Sequence, residues 1–61
     1  MNKDKNKLFL AKQNVLNALT RLEVVNLDAS ANERSILLPL IHDTLSIYRR
    51  LDELLGAIDH D

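Results

Sequence analysis

No cysteine occurs in the 61 residues, and tryptophan is also absent, with one Gly, one Pro, one Phe and one Tyr. Without cysteine there is no disulfide framework, no thiolate zinc site and no thiol chemistry. A single Gly and a single Pro exclude collagen-like, repeat-turn and low-complexity chains, and leave no glycine-rich phosphate loop. Long apolar runs are missing too. The longest, Ile36 to Ile41, is interrupted by Pro39 and falls far short of the ~20 residues that cross a bilayer. Leu8-Phe9-Leu10-Ala11 is too short for the apolar part of a signal peptide. What is present is 46% apolar residues, 28% charged residues and a net charge of -1. That balance is too apolar for disorder. A small, cytoplasmic, all-α protein of bacterial or phage type is expected. The composition speaks of architecture and association rather than of a reaction.

The near-zero net charge hides an asymmetry. Residues 1–27 hold five cations against two carboxylates, net +3, and residues 28–61 hold three against seven, net -4. One hairpin domain fits these halves, with helix one over about 5–27, a turn near 28–30 and helix two over about 31–58. In the first half Leu8, Ala11, Val15, Ala18, Leu22 and Val25 recur at 3-4 spacing, the period of an amphipathic helix. Leu19 widens that stripe, and Phe9, Leu16 and Leu27 occupy a neighbouring flank. Leu10 and Val24 fall on the expected solvent side.

The break follows at Asn26-Leu27-Asp28-Ala29-Ser30. Ser30 and Glu33 fit a capping box, in which hydroxyl and carboxylate each accept from the other residue's amide. Asp28 is the rival cap. A turn this short sends the second helix back antiparallel to the first.

The second half carries the stronger pattern. Leu37, Ile41, Thr44, Tyr48, Leu51, Leu55 and Ile58 alternate at 4-3 spacing. With Ile41, Tyr48 and Leu55 at heptad position a, the residues before them, Leu40, Ile47 and Leu54, form an apolar g column. A two-helix seam needs only a and d, so a third column points to a bundle of more helices. Pro39 leaves two readings of this segment. Either one bent helix carries Pro39 on its solvent face, or a short helix near 31–37 precedes a separate helix starting at Pro39. Thr44 interrupts the seam, and its hydroxyl either specifies register or bonds back to the Leu40 carbonyl. Tyr48 is expected to pack its ring in the seam and reach a polar partner with its hydroxyl.

About 60 residues bury too little surface for a comfortable margin of stability. With no disulfide or evident metal site, another chain is the remaining support. A homodimeric four-helix bundle ranks first, a partner protein helix second and a self-sufficient monomer third. The expected interface is Leu19, Leu37, Leu40, Ile41, Ile47, Tyr48, Leu51, Leu54, Leu55 and Ile58. Lys3, Lys5 and Lys7 oppose the dipole of helix one, as Asp59 and Asp61 oppose that of helix two. In a hairpin these ends meet, so the lysines are expected to face Asp52, Asp59 and Asp61.

Catalytic and metal chemistry find little support. His42-Asp43 lacks further ligands, His42, Asp43 and Ser46 share one open helix surface, and Asp59-His60-Asp61 are consecutive at a loose end. No enzyme, metal, cofactor or small-molecule substrate is expected. Arg49 and Arg50, beside Asp52 and Glu53, read as a solvated cluster. The sharper alternative to protein association is a basic, amide-rich face on helix one: Lys5, Lys12, Gln13, Asn14, Asn17 and Arg21, with Phe9 at its edge. Cations contact phosphates, and amides read base edges or sugar hydroxyls.

Leu27-Asp28-Ala29 at the turn, His42-Asp43 and Tyr48-Arg49 on helix two, and the acidic tail resemble, in outline, the ROP-type RNA-binding plasmid regulators. That resemblance implies a helical hairpin dimerising into a four-helix bundle and binding RNA through its helix-one faces. Pro39 and the apolar column Leu40, Ile47, Leu54 depart from that pattern.

Overall fold

A computed structural model describes residues 3–59, with side chains from 5 to 58. These residues form two helices, α1 over Lys3–Leu27 and α2 over Ala31–Asp59, packed against each other as an antiparallel hairpin. At 1.5 Å per residue they are about 37 and 43 Å long. The molecule measures 46 × 14 × 11 Å between Cα extremes, which makes it two helices wide and one helix deep.

The turn is built from polar bonds rather than from glycine. No described residue adopts a positive φ, so the left-handed glycine cap that ends many helices is not used at this turn. Asp28 and Ala29 donate to the Val25 and Asn26 carbonyls, each at 3.3 Å, closing α1 with tightened turns. Arg34 then reaches back. Its Nε donates to the Asn26 carbonyl and its Nη2 to the Leu27 carbonyl, both at 3.3 Å. A cation thus caps the negative end of the α1 dipole. Ser30 starts α2 with the expected capping box, not Asp28. The Ser30 amide donates to Glu33 Oε1 at 2.8 Å, and the Glu33 amide donates to Ser30 Oγ at 3.2 Å. These bonds hold Glu33 below its ordinary pKa of 4.5, the backbone bond from Ser30 being the main cause.

α2 runs unbroken through Pro39, so the three-helix alternative is not realised. Pro39 is exposed, where its ring meets no partner helix and water can serve the Ser35 carbonyl that loses its usual amide. Thr44 Oγ1 donates to the Leu40 carbonyl at 2.7 Å, the back-bond expected of a mid-helix threonine. Gly56 lies inside the last turns of α2, with no atom close to where a Cβ would stand.

The core is thin. Among the described residues only Leu19 and Leu55 fall to 8% exposure, and no side chain is fully buried. The accessible surface is 4955 Å² for a mass of 7.0 kDa. A compact monomer of that mass exposes about 4,000 Å², so the hairpin carries roughly 900 Å² more. Its radius of gyration, 14.3 Å, likewise exceeds the ~10.5 Å of a compact domain of this length. Among the described residues no helix is long and apolar enough to cross a membrane.

Candidate interaction surface

The contacting face of α1 is rotated from the stripe that periodicity predicts. Its buried centre is Leu19, flanked along the seam by the partly buried Leu8, Ala11, Lys12, Val15, Leu22 and Asn26, while Ala18 and Val25 are exposed. Two members of this face are polar. An apolar count sends both outward, which shifts the inferred stripe by roughly one residue's turn.

Lys12 is the first of them. Its ammonium donates to Asp52 Oδ1 at 2.5 Å and lies 5.3 Å from the centroid of the Tyr48 ring. The side chain is 18% exposed and Asp52 63%. The four-carbon stem of Lys12 packs along the seam while its head stays at the edge, over the electron-rich face of a half-buried tyrosine. The hydrogen bond to Asp52, reinforced by the charges of Asp52 and Tyr48, raises the Lys12 pKa above 10.5. The cross-helix attraction expected between the two ends is therefore made, at Asp52, by Lys12. Lys3, Asp59 and Asp61, and the candidate metal set Asp59-His60-Asp61, lie outside the residues whose side chains are described.

Asn26 is the second. It belongs to α1 rather than to the turn, and its Oδ1 is buried without a hydrogen-bond partner. Beside it a shallow groove of about 400 Å³ opens at the turn end, lined by Thr20, Val24, Leu27, Leu38 and Ile41. The Thr20 hydroxyl is spent on the Leu16 carbonyl at 3.0 Å. Glu23 is the one ionisable group on the groove wall, so it holds no acid–base or nucleophile pair. Nor does the His42, Asp43, Ser46 set assemble: Ser46 Oγ donates to the His42 carbonyl at 3.2 Å. No group of three or more metal-ligating side chains gathers among the described residues.

The expected interface residues divide into two sets. Leu19 and Leu55 are consumed by the hairpin's own seam, with Leu37, Ile41, Tyr48, Leu51 and Ile58 partly covered by it. The column Leu40, Ile47, Leu54 is not, at 48, 51 and 51% exposure, and Ile36 extends it toward the turn. Leu45, at heptad position e, is instead partly buried. That position escaped the periodicity argument, though its apolar identity was a usable signal. The seam thus lies on the a, d and e side of α2 and leaves g to solvent.

The basic, amide-rich face is not brought together as one patch. Lys5, Gln13, Asn14, Asn17 and Arg21 are exposed, but Lys12 faces α2. Lys5 and Arg21 sit about 24 Å apart along α1 and roughly 160° apart around it. Arg49 and Arg50 are exposed on the outer side of α2.

No protein-family model, curated protein or solved structure matches the chain.

Proposed function

We propose that this chain is a small, non-enzymatic helical interaction protein of the cytoplasm, a regulator, inhibitor or assembly chaperone, that works as a homodimer through its apolar helix faces. The observation that supports this reading is the unburied aliphatic column on α2, together with the surplus surface of the hairpin. A standard interface buries about 800 Å² per partner, close to the roughly 900 Å² by which the hairpin exceeds a compact monomer. A row of large aliphatics in water is unusual on monomers. The arrangement suits recognition by helix-in-groove packing, where burial of regularly spaced apolar side chains supplies affinity.

A nucleic-acid module is the runner-up. It ranks lower because Lys12 is engaged by Asp52 and Lys5 and Arg21 stand far apart on helix one. Phosphate binding draws its strength from clustered cations.

Light scattering on a sizing column tests the proposal. The expected mass is twice 7.0 kDa. The melting temperature is expected to rise with protein concentration over a hundredfold range, because association stabilises by mass action. A mass of 7.0 kDa with a melt that ignores dilution would sink it.

A further inference from the structure

The hairpin has two broad faces, and they differ in chemistry. In an antiparallel pair of right-handed helices, the flanks reached by rotating in the same sense from the two seam centres lie on the same side. Taking Leu19 and Leu55 as the seam centres, about 100° per residue places Phe9, Leu16 and Leu27 of α1 beside Leu38 and Leu45 of α2. The Lys12–Asp52 pair, the Arg34 cap and the turn-end groove lie on this side, so its apolar residues are interrupted by charge. The same arithmetic places Ala11, Ala18 and Val25 beside Leu40, Ile47 and Leu54 on the other side. Charge is confined to the outer edge of this side, where Lys7 and Asp43 fall at the azimuth of Val25 and Arg21 stands beyond them.

This second face has a regular relief. Ala11, Ala18 and Val25 repeat every seven residues along α1, and Leu40, Ile47 and Leu54 repeat every seven along α2 in the opposite direction. The level set by the Lys12–Asp52 pair puts Ala11 beside Leu54, Ala18 beside Ile47 and Val25 beside Leu40. One column is low and the other high. A surface with one low and one high ridge at the same spacing is complementary to itself when rotated by half a turn about the long axis of the hairpin. The high ridge of each copy then rests on the low ridge of the other, and both contacts are made twice, as an isologous interface requires. The charges agree with that operation. Arg21 and Asp43 are level with each other, so each Arg21 comes to the Asp43 of the second copy. The alternative two-fold axis, across the hairpin, sets high on high and low on low, which leaves gaps between the alanines.

The geometry points to a second copy of this chain as the occupant of the face formed by Ala11, Ala18, Val25, Leu40, Ile47 and Leu54, with both turns at the same end and α1 of each copy lying over α2 of the other. This deepens the homodimer reading and rests on it. The charged face with its turn-end groove remains outside the contact.

The absence of native cysteine makes the test clean. Two single variants, Ala18→Cys and Ile47→Cys, are prepared, one carrying a mass tag, and are mixed, allowed to exchange subunits and oxidised in a glutathione buffer. Both positions are exposed in the hairpin, so neither change removes a side chain from the hairpin's own seam. The expected product is a disulfide joining one chain of each kind, with neither variant cross-linking to itself, since a disulfide needs Cα atoms within about 7 Å. Self-linked Ala18→Cys and self-linked Ile47→Cys products would overturn the arrangement in favour of the other axis while leaving the dimer intact. A dimeric mass with no cross-link of either kind would move the contact off this face. A monomeric mass for the unsubstituted chain would remove the dimer and this interface together.

Discussion

Between Asn26 and Arg34 the chain closes a helix, turns and starts another, and nearly every step is held by a directed bond: Arg34 on two carbonyls, Ser30 and Glu33 on each other's amides. Along the seam the helices share much greater length, yet among the described residues only Leu19 and Leu55 are buried. The turn is specified by neighbours within eight residues. The seam is specified by apolar side chains that one partner helix covers incompletely. Local geometry in a short chain is thus set by hydrogen bonding, while the hydrophobic term stays unfinished until more surface is offered.

The sharpest way to break this contrast is to compare one buried and one uncovered aliphatic. Leu55→Ala removes half of the buried centre and is expected to cost about 2–3 kcal/mol in urea unfolding. Ile47→Ala touches the face left open by the hairpin. In a lone hairpin it is expected to cost no more than about 0.5 kcal/mol, as surface substitutions do. At concentrations where the chain is associated, the cost is expected to approach that of Leu55→Ala. A small cost at every concentration would mean that the g column stays in water.

Pro39 allows a second comparison, between a defect in the helix and the face it accompanies. Proline in a helix interior is about 3 kcal/mol less favourable than alanine. Because Pro39 is exposed and α2 continues through it, Pro39→Ala is expected to stabilise the chain by about 2–3 kcal/mol, read as a raised urea midpoint. An unchanged midpoint would show that straightening the backbone sacrifices packing of equal worth. At the turn, Ser30→Ala removes one acceptor from an exposed cap and is expected to cost about 1 kcal/mol. A cost as large as that of Leu55→Ala would mean that the turn, not the seam, limits stability.

Much of the architecture is legible in the residues. Two helical periods, a short polar break and the Ser30–Glu33 spacing are local patterns with local causes, and the hairpin realises them. The Thr44 back-bond follows from the same kind of reasoning. What escapes is the rotation of α1 about its axis. Ala18 and Val25 look like seam residues because they are apolar, and Lys12 looks like an outer-face residue because it is charged. In three dimensions the seam prefers the large Leu19 at its centre, and a long lysine stem lies across Tyr48 to meet Asp52. Arg34 as a helix cap eluded the pattern as well, since its carbonyl partners lie in the preceding helix. Of the candidate surface, the column Leu40, Ile47, Leu54 could be read directly. Its small-residue counterpart on α1 needed the observed rotation.

The smallest effect separates the turn from the seam by pH. Glu33 has a lowered pKa in the folded chain, chiefly through the hydrogen bond from the Ser30 amide. A depressed carboxyl contributes stability that is present above its unfolded pKa and lost as pH falls through the folded value, so the capping box weakens in the acid range below 4.5. Lys12 has a raised pKa, chiefly through its hydrogen bond to Asp52. Its contribution is present below 10.5 and lost as pH rises through the folded value above it, so the seam pair fails at the alkaline end. Both groups sit at the surface, where solvent screens charge, and the shifts in melting temperature are expected to be small. The pH profile of Glu33→Gln isolates the turn. Glutamine keeps an acceptor for the Ser30 amide but does not titrate, so the acid limb of the melting curve should flatten while the alkaline limb is unchanged. The profile of Lys12→Met, which retains the stem over Tyr48, should flatten the alkaline limb. If either substitution altered both limbs equally, the turn and the seam would not be separately held, and the contrast drawn between them would fail.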